Sequence, residues 1–218
     1  MNGSSKAITA VVVITALGAL AYSQLPDGKD HAMEGMTTAT AADVPPSTKA
    51  YEAAMAVMMN GMMTPLTGKP DLDFVQGMIP HHQGAIDMAK IVLLYGKNPE
   101  VRTLAEGVVK AQESEITFMK DWLAKADQAA FPMVAESRKS NEQAASVMMT
   151  NMMMAYTGDA DVDFIKGMIP HHRGAIDMAR VALQFTKDPA LRKLAQDIVT
   201  AQKNEIAFMS DWLAKYGK

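Results

Sequence analysis

The sequence predicts an all-α protein built as two tandem antiparallel helical bundles, with about three main helices in each. Three observations carry this reading. The string Gly77-Met78-Ile79-Pro80-His81-His82 returns as Gly167-Met168-Ile169-Pro170-His171-His172, an ungapped offset of 90 residues between His81 and His171. Apolar residues recur at steps of three and four, the signature of a helix with one buried face. No stretch sustains the period-two alternation of a half-buried strand. The same offset aligns Asp73 with Asp163, Pro99 with Pro189, Arg102 with Arg192, Glu115 with Glu205 and Trp122 with Trp212. A single long period of this kind marks a duplicated unit rather than a solenoid of short repeats.

The elements follow in chain order. Residues 1–23 read as an export segment: Lys6 is a short positive start, Ala7 to Leu20 is apolar, and Ala19-Leu20-Ala21 is an A-x-A cleavage site. The competing reading is an uncleaved anchor, since the apolar run approaches the roughly 17 residues that span a bilayer. Either way the remainder lies outside the cytoplasm, in the periplasm if the host is a Gram-negative bacterium. Residues 24–46 hold Asp, Gly, Thr, Ala and Pro45-Pro46 and read as a flexible tether. The first repeat spans 47–125, a linker covers 126–139, and the second repeat spans 140–218.

In the first repeat, one helix is expected from Ser47 to Thr64, stopped by Pro65 and the Gly68/Pro70 loop. Its counterpart is expected to begin at Ser140, where Ser140 and Gln143 form an S-x-x-Q capping box. A second helix is expected from Asp71 or Asp73, both good N-caps, to Tyr95, kinked at Pro80. The third starts with Asn98 as N-cap and Pro99 in the first turn, and continues through Val101, Leu104, Val108, Ala111, Glu115, Phe118 and Leu123.

Composition narrows the chemistry. The chain has 20 Met and no Cys, which removes disulfides, thiolate metal sites and cysteine nucleophiles together. The net charge of -3, without a Lys/Arg cluster, excludes nucleic acid as a partner. Four of the five His form the two repeated pairs His81-His82 and His171-His172. At helical spacing Met78 shares a face with His81 and His82, and Met88 lies seven beyond His81; Met168 and Met178 are their counterparts. Thioethers select Cu(I) and imidazole suits copper in either state, so this grouping points to copper. The plainer reading is a set of hydrogen-bonded histidines, which a lone His would favour over a duplicated pair.

Met55, Met58, Met59, Met62 and Met63 form a helical stripe, matched by Met148, Met149, Met152, Met153 and Met154. Such a stripe is core by default. Ordinary cores nevertheless draw on Leu, Ile and Val, so Met62, Met63, Met152 and Met153 are the candidates for ligands near the His pairs. Gln112, Glu115 and Met119 share a face of the third helix, as do Gln202, Glu205 and Met209. Facing inward, Glu115 accepts a hydrogen bond from His81 or His82 and fixes its tautomer; facing outward it is solvated. Met119 and Met209 join the candidate ligands. Asp87 and Asp177 either do the same as Glu115 or pair with Arg102 and Arg192. In the tether, His31 and Met33 form a short H-x-M cluster suited to weak copper capture.

The string Gly77 to Ala89, repeated at Gly167 to Ala179, closely resembles the signature of the family catalogued as domain of unknown function 305. The Ala-Gln-x-x-Glu-Ile-x-x-Met-x-x-Trp-Leu pattern at Ala111 to Leu123 and Ala201 to Leu213 is similar to that family's other hallmark. The resemblance covers about residues 50–125 and 140–215. It implies a ferritin-like helical bundle, and copper binding at His81, His82, His171, His172 and nearby Met such as Met78 and Met168. Some members are CopM-type periplasmic copper-binding proteins linked to copper resistance.

The expected function is therefore an exported copper-binding protein that sequesters or shuttles Cu(I), with Cu(II) as the second state, and contributes to copper tolerance. Its partners are copper ions and a copper-exchanging exported protein or efflux component. The membrane enters only through the N-terminal segment if that is uncleaved. An enzyme is not expected: the Glu-x-x-His of a di-iron oxidase and the H-E-x-x-H of a zinc hydrolase are both absent. A cuprous oxidase, a helical haem-binding protein and a bundle whose Met only packs are the alternatives.

Overall fold

The computed structural model of the protein describes residues 44–217, which form six α-helices and, among the described residues, no strand. The helices are α1 (Pro46–Met62), α2 (Pro70–Tyr95), α3 (Pro99–Lys125), α4 (Ala135–Asn151), α5 (Ala160–Phe185) and α6 (Pro189–Tyr216). Each repeat contributes three, as predicted. The export segment, His31, Met33 and the tether up to residue 43 lie outside the described residues. Among the described residues no helix is long and apolar enough to cross a membrane.

Several helix starts follow from local chemistry. The Asn98 side chain accepts from the amides of Glu100 at 2.9 Å and Val101 at 3.2 Å, and Pro99 loses nothing by lacking an N–H in the first turn. Asp188 and Pro189 start α6 in the same way. Helix α2 runs unbroken through Pro80, as α5 does through Pro170.

Two expected starts differ. Asp71 and Asp73 do not cap α2, which begins at Pro70 after Lys69. The Asp73 carboxylate turns back to accept from Thr67 N and Oγ1, both at 2.7 Å, and from Gly68 N at 2.9 Å. Asp163 repeats this clip on Thr157 and Gly158. The turn so held needs a positive φ, 77° at Gly68 and 87° at Gly158, which glycine adopts without a Cβ clash. Helix α4 begins at Ala135 rather than Ser140, so the Ser140/Gln143 capping box does not form and the helix starts inside the expected linker. The earlier start is anchored by the Val134 amide donating to Gly68 O at 2.7 Å, and Arg138 and Glu142 pair one turn apart at 3.0 Å.

What the sequence left open is how the two repeats meet. The short Gly96–Asn98 connection folds α3 back along α2, and Thr186–Asp188 does the same for α6 on α5. The repeats then share one core. In one cluster Phe74, Val75 and Met78 from the start of α2 pack with Ala175, Met178, Ala179 and Ala182 from the end of α5. In the other, Ala85, Met88, Ala89 and Val92 from the end of α2 pack with Phe164, Ile165 and Met168 from the start of α5. Helices α2 and α5 are therefore antiparallel neighbours about a local two-fold axis. Reciprocal contacts confirm it: a Cβ on Gly77 would meet Met178, and a Cβ on Gly167 would meet Met88. Burying each large side chain here contributes about 1.5–3 kcal/mol. Polar ties also cross between repeats. Tyr51 Oη donates to Ala160 O at 2.9 Å, Asp161 accepts from the amides of Lys97 and Asn98, and Thr186 Oγ1 donates to Asp71. Helices α1 and α4 pack on α2 and α5 respectively.

Candidate metal centre

The antiparallel crossing of α2 and α5 brings the two His pairs together. His81, His82, His171 and His172 all have no solvent exposure. The rings of His81 and His171 face each other across the two-fold axis, centroids 3.8 Å apart and planes at 45°. His82 and His172 flank them, with centroids 6.3 and 6.2 Å from their sequence neighbours.

The flanking pair is oriented from α3 and α6. His82 Nε2 lies 2.7 Å from Glu115 Oε2, and His172 Nε2 lies 2.6 Å from Glu205 Oε2. A carboxylate only accepts, so the proton belongs on Nε2 and the lone pair on Nδ1. Both Nδ1 atoms are buried without a hydrogen-bond partner, as are Nδ1 and Nε2 of His81 and of His171. Burial first, and the neighbouring imidazoles second, hold His81 and His171 well below the ordinary histidine range. Both are thus neutral, the form that ligates a metal. The expected partnership of Glu115 with the His pair is present, and His82 rather than His81 is the donor.

Thioethers reach the same place from α1 and α4. A Cβ on Gly174 would stand 2.8 Å from Met148 Sδ and 3.4 Å from His81 Nε2. A Cβ on Gly84 would stand 2.6 Å from Met58 Sδ. Only the bare glycine in Pro-His-His-x-Gly lets these sulfurs approach the helix that carries the imidazoles. Met58, Met148 and Met152 form a buried methionine cluster, with Met55, Met59 and Met62 packed against it. Met58 and Met148 were part of the stripe read from sequence, but nothing in the stripe singled them out. The repeated glycine three residues after His81 and His171 was the signal that could have found them.

The other sequence candidates distribute as follows. Met78, Met119, Met168 and Met209 are fully buried in the two hydrophobic clusters. Met88 and Met178 are buried against Gly167 and Gly77. Met152 is buried and Met62 is half-buried. Met63 and Met153 are 76% and 87% exposed, so the structure does not bring them to the buried imidazoles. Arg102 and Arg192 do not pair with Asp87 and Asp177. Each instead donates to the last carbonyls of the preceding helix, Leu93 and Gly96 for Arg102, Leu183 and Thr186 for Arg192. Asp87 accepts from Gln83 and Asp177 from Arg180, both one turn away on their own helix. Among the described residues no three His, Asp or Glu side chains converge as a ready-made metal cage.

Comparison with known proteins agrees with this architecture. The curated, uncharacterized protein L153 of Acanthamoeba polyphaga mimivirus is 45% identical over 53 residues, 24% of this chain and 35% of that protein. The chain thus matches about a third of the length of that relative. Among solved structures, CopM in its Cu(I)-bound form is 34% identical with a TM-score of 0.53, covering 67% of this chain and 96% of CopM. CopM has also been solved in Ag-bound and Cu(II)-bound forms. A DUF305 protein of Streptomyces coelicolor, described as secreted, is 27% identical with a TM-score of 0.55, covering 70% of this chain and 96% of that one. The family described as domain of unknown function (DUF305) matches residues 71–215 of the sequence, two-thirds of its length. With its helical architecture and both hallmark strings within that span, this chain belongs to the DUF305 family.

Proposed function

We propose that the protein is an exported copper-binding protein that sequesters or shuttles Cu(I) through a centre built jointly by its two repeats. One observation carries the reading: the buried ring nitrogens of His81 and His171, together with Nδ1 of His82 and His172, make no well-formed hydrogen bond, and His81 and His171 meet only each other's backbone. An unsatisfied buried polar group costs about 1–3 kcal/mol. Orphaned nitrogens on four neighbouring rings are a cost that a bound cation offsets. The donors are imidazoles and thioethers, with Met148 beside His81 and Met58 at the twin position. That donor set favours Cu(I), and the imidazoles also suit Cu(II). Glu115 and Glu205 hold the flanking rings through Nε2, which leaves the Nδ1 lone pair of each available as a donor.

Cu(I) and Cu(II) are both bound by the relative CopM, which supports copper as the cargo. Export is supported by the N-terminal segment and by the relative described as secreted. An exported chain meets an oxidising compartment, where thioethers persist as ligands and thiols do not. The role is binding and exchange, with copper-exchanging exported proteins or efflux components as partners, and requires no proton-transfer group. Haem does not suit the centre, because rings 3.8 Å apart leave no space for a macrocycle between them.

The test is a Cu(I) competition titration against a chromophoric chelator. Protein carrying His81→Ala, His82→Ala, His171→Ala and His172→Ala is expected to lose its tightest copper, by at least a hundredfold in affinity. Unchanged competition in that variant, with helicity retained by circular dichroism, would sink the proposal.

A further inference from the structure

Each repeat leaves an open groove where its first helix meets the connection beyond the other repeat's first helix. The two grooves occupy equivalent positions under the 90-residue offset. One, of about 520 Å³, is lined by Met62, Met63, Thr64, Leu66, Ala145 and Met149, among others. Its twin, of about 550 Å³, is lined by Met55, Met59, Met149, Met152, Met153 and Met154, with Tyr156 and Glu52. Where the first groove has Ala145, Thr64 and Leu66, the second has Met55, Met154 and Tyr156.

Packing does not explain the methionines of the second groove. Met153 is 87% exposed and Met149 is 47% exposed, so neither gains the burial for which a core employs Met. Further in, the sulfurs converge. A Cβ on Gly167 would stand 3.5 Å from Met154 Sδ and 3.7 Å from Met88 Sδ. The equivalent point above Gly77 meets only Met178, because Thr64 stands in for Met154. Thus one groove holds Met154, whose sulfur approaches the bare Gly167, more thioethers open to solvent, and a carboxylate, Glu52, in its lining, while Met88 lies buried beneath it. No imidazole lines it.

We propose that this groove is a second metal site, made of thioethers alone, that takes a monovalent soft cation such as Cu(I). Met149, Met153 and Met154 are its ligands. Thioethers are weak donors to hard or intermediate cations and select Cu(I) among the states of copper, so Cu(II) is refused there while the imidazole centre accepts it. The site shares the copper reading of the His centre but stands on different residues, and the two are separable.

The test uses Ag(I), a redox-inert probe for soft monovalent sites, titrated into the full chain with 13C-methyl-labelled methionine. Binding is followed by methyl resonances and by calorimetric stoichiometry. The expected result is that the methyl signals of Met149, Met153 and Met154 shift on saturation and that the Met149→Leu, Met153→Leu, Met154→Leu variant loses one equivalent of Ag(I). Leucine keeps the volume, so the fold is retained. The variant with all four paired His changed to Ala is expected to keep the groove shifts, and Cu(II) is expected to leave them unmoved in both proteins. Full Ag(I) capacity in the triple Leu variant would overturn the proposal, as would groove shifts that vanish with the histidines. Groove shifts that persist alongside undiminished copper affinity in the His variant would support this site and overturn the His centre.

Discussion

The centre of the molecule and its two grooves obey different rules. At the centre every residue has an identical twin: His81 and His171, His82 and His172, Glu115 and Glu205, Gly84 and Gly174, Met58 and Met148. In the grooves the twins differ, with Met55 opposite Ala145 and Met154 opposite Thr64. The local two-fold axis supplies the reason. A residue on the axis faces its own counterpart, as His81 faces His171 at 3.8 Å, so a change in one repeat unbalances a shared structure. The grooves lie off the axis and share only Met149 among their lining residues, so the other positions of one can change without altering the other. A duplicated chain can thus keep one joint centre and turn one of two equivalent surfaces to a separate use.

The largest effect expected of this comparison is on acid stability in the metal-free protein, and it comes from the centre alone. The folded-state pKa of His81 and of His171 lies below its unfolded value, so the unfolded chain takes up protons that the native state refuses. Stability is therefore full above about pH 6.5, the unfolded histidine value, and falls as pH drops below it. The slope reaches about 1.4 kcal/mol per pH unit for each of the two imidazoles. Urea denaturation at a series of pH values between 7 and 5 reads this directly. The His81→Leu, His171→Leu variant should flatten the curve while losing Cu(I). A wild-type stability independent of pH in that range contradicts two neutral buried rings.

A smaller effect separates the two regions by ligand support. Glu115→Ala, or equally Glu205→Ala, frees one flanking imidazole and should weaken Cu(I) at the centre by about 10- to 100-fold. The two variants should match each other, because the axis relates them. Neither should change the Ag(I)-induced methyl shifts of Met153 and Met154. Unequal losses from the two Glu variants would contradict the two-fold symmetry of the centre.

The smallest effect is a gain. Thr64→Met with Ala145→Met gives the sister groove the thioethers it lacks, placing a sulfur beside Met178 and Gly77 as Met154 stands beside Met88 and Gly167. The variant should bind one additional Ag(I) weakly, visible as a shift of the Met63 methyl at millimolar protein. If no signal moves, thioether number is not what distinguishes the grooves.

Much of this protein was readable without coordinates. The helices, their number, the Asn98-Pro99 start and the shared face of Glu115 and Met119 all follow from chemistry acting over three or four residues, which sequence spacing expresses directly. Asp73 and Ser140 were misplaced because good capping residues compete with other local partners: Asp73 found Thr67 and Gly68, and α4 began before Ser140 could serve. The repeated His pairs marked the site, yet whether they stood apart or met could not be read from any local period. The antiparallel packing of α2 on α5 decided that, because contacts between residues 90 apart depend on which apolar faces fit together. It also decided the fate of the methionines. Met58 and Met63 belong to one stripe, five positions apart, and packing buries the first while leaving the second in solvent. By itself the sequence determined the elements and the donor types. Only the tertiary structure determined which donors meet, because convergence is a property of the packed helices.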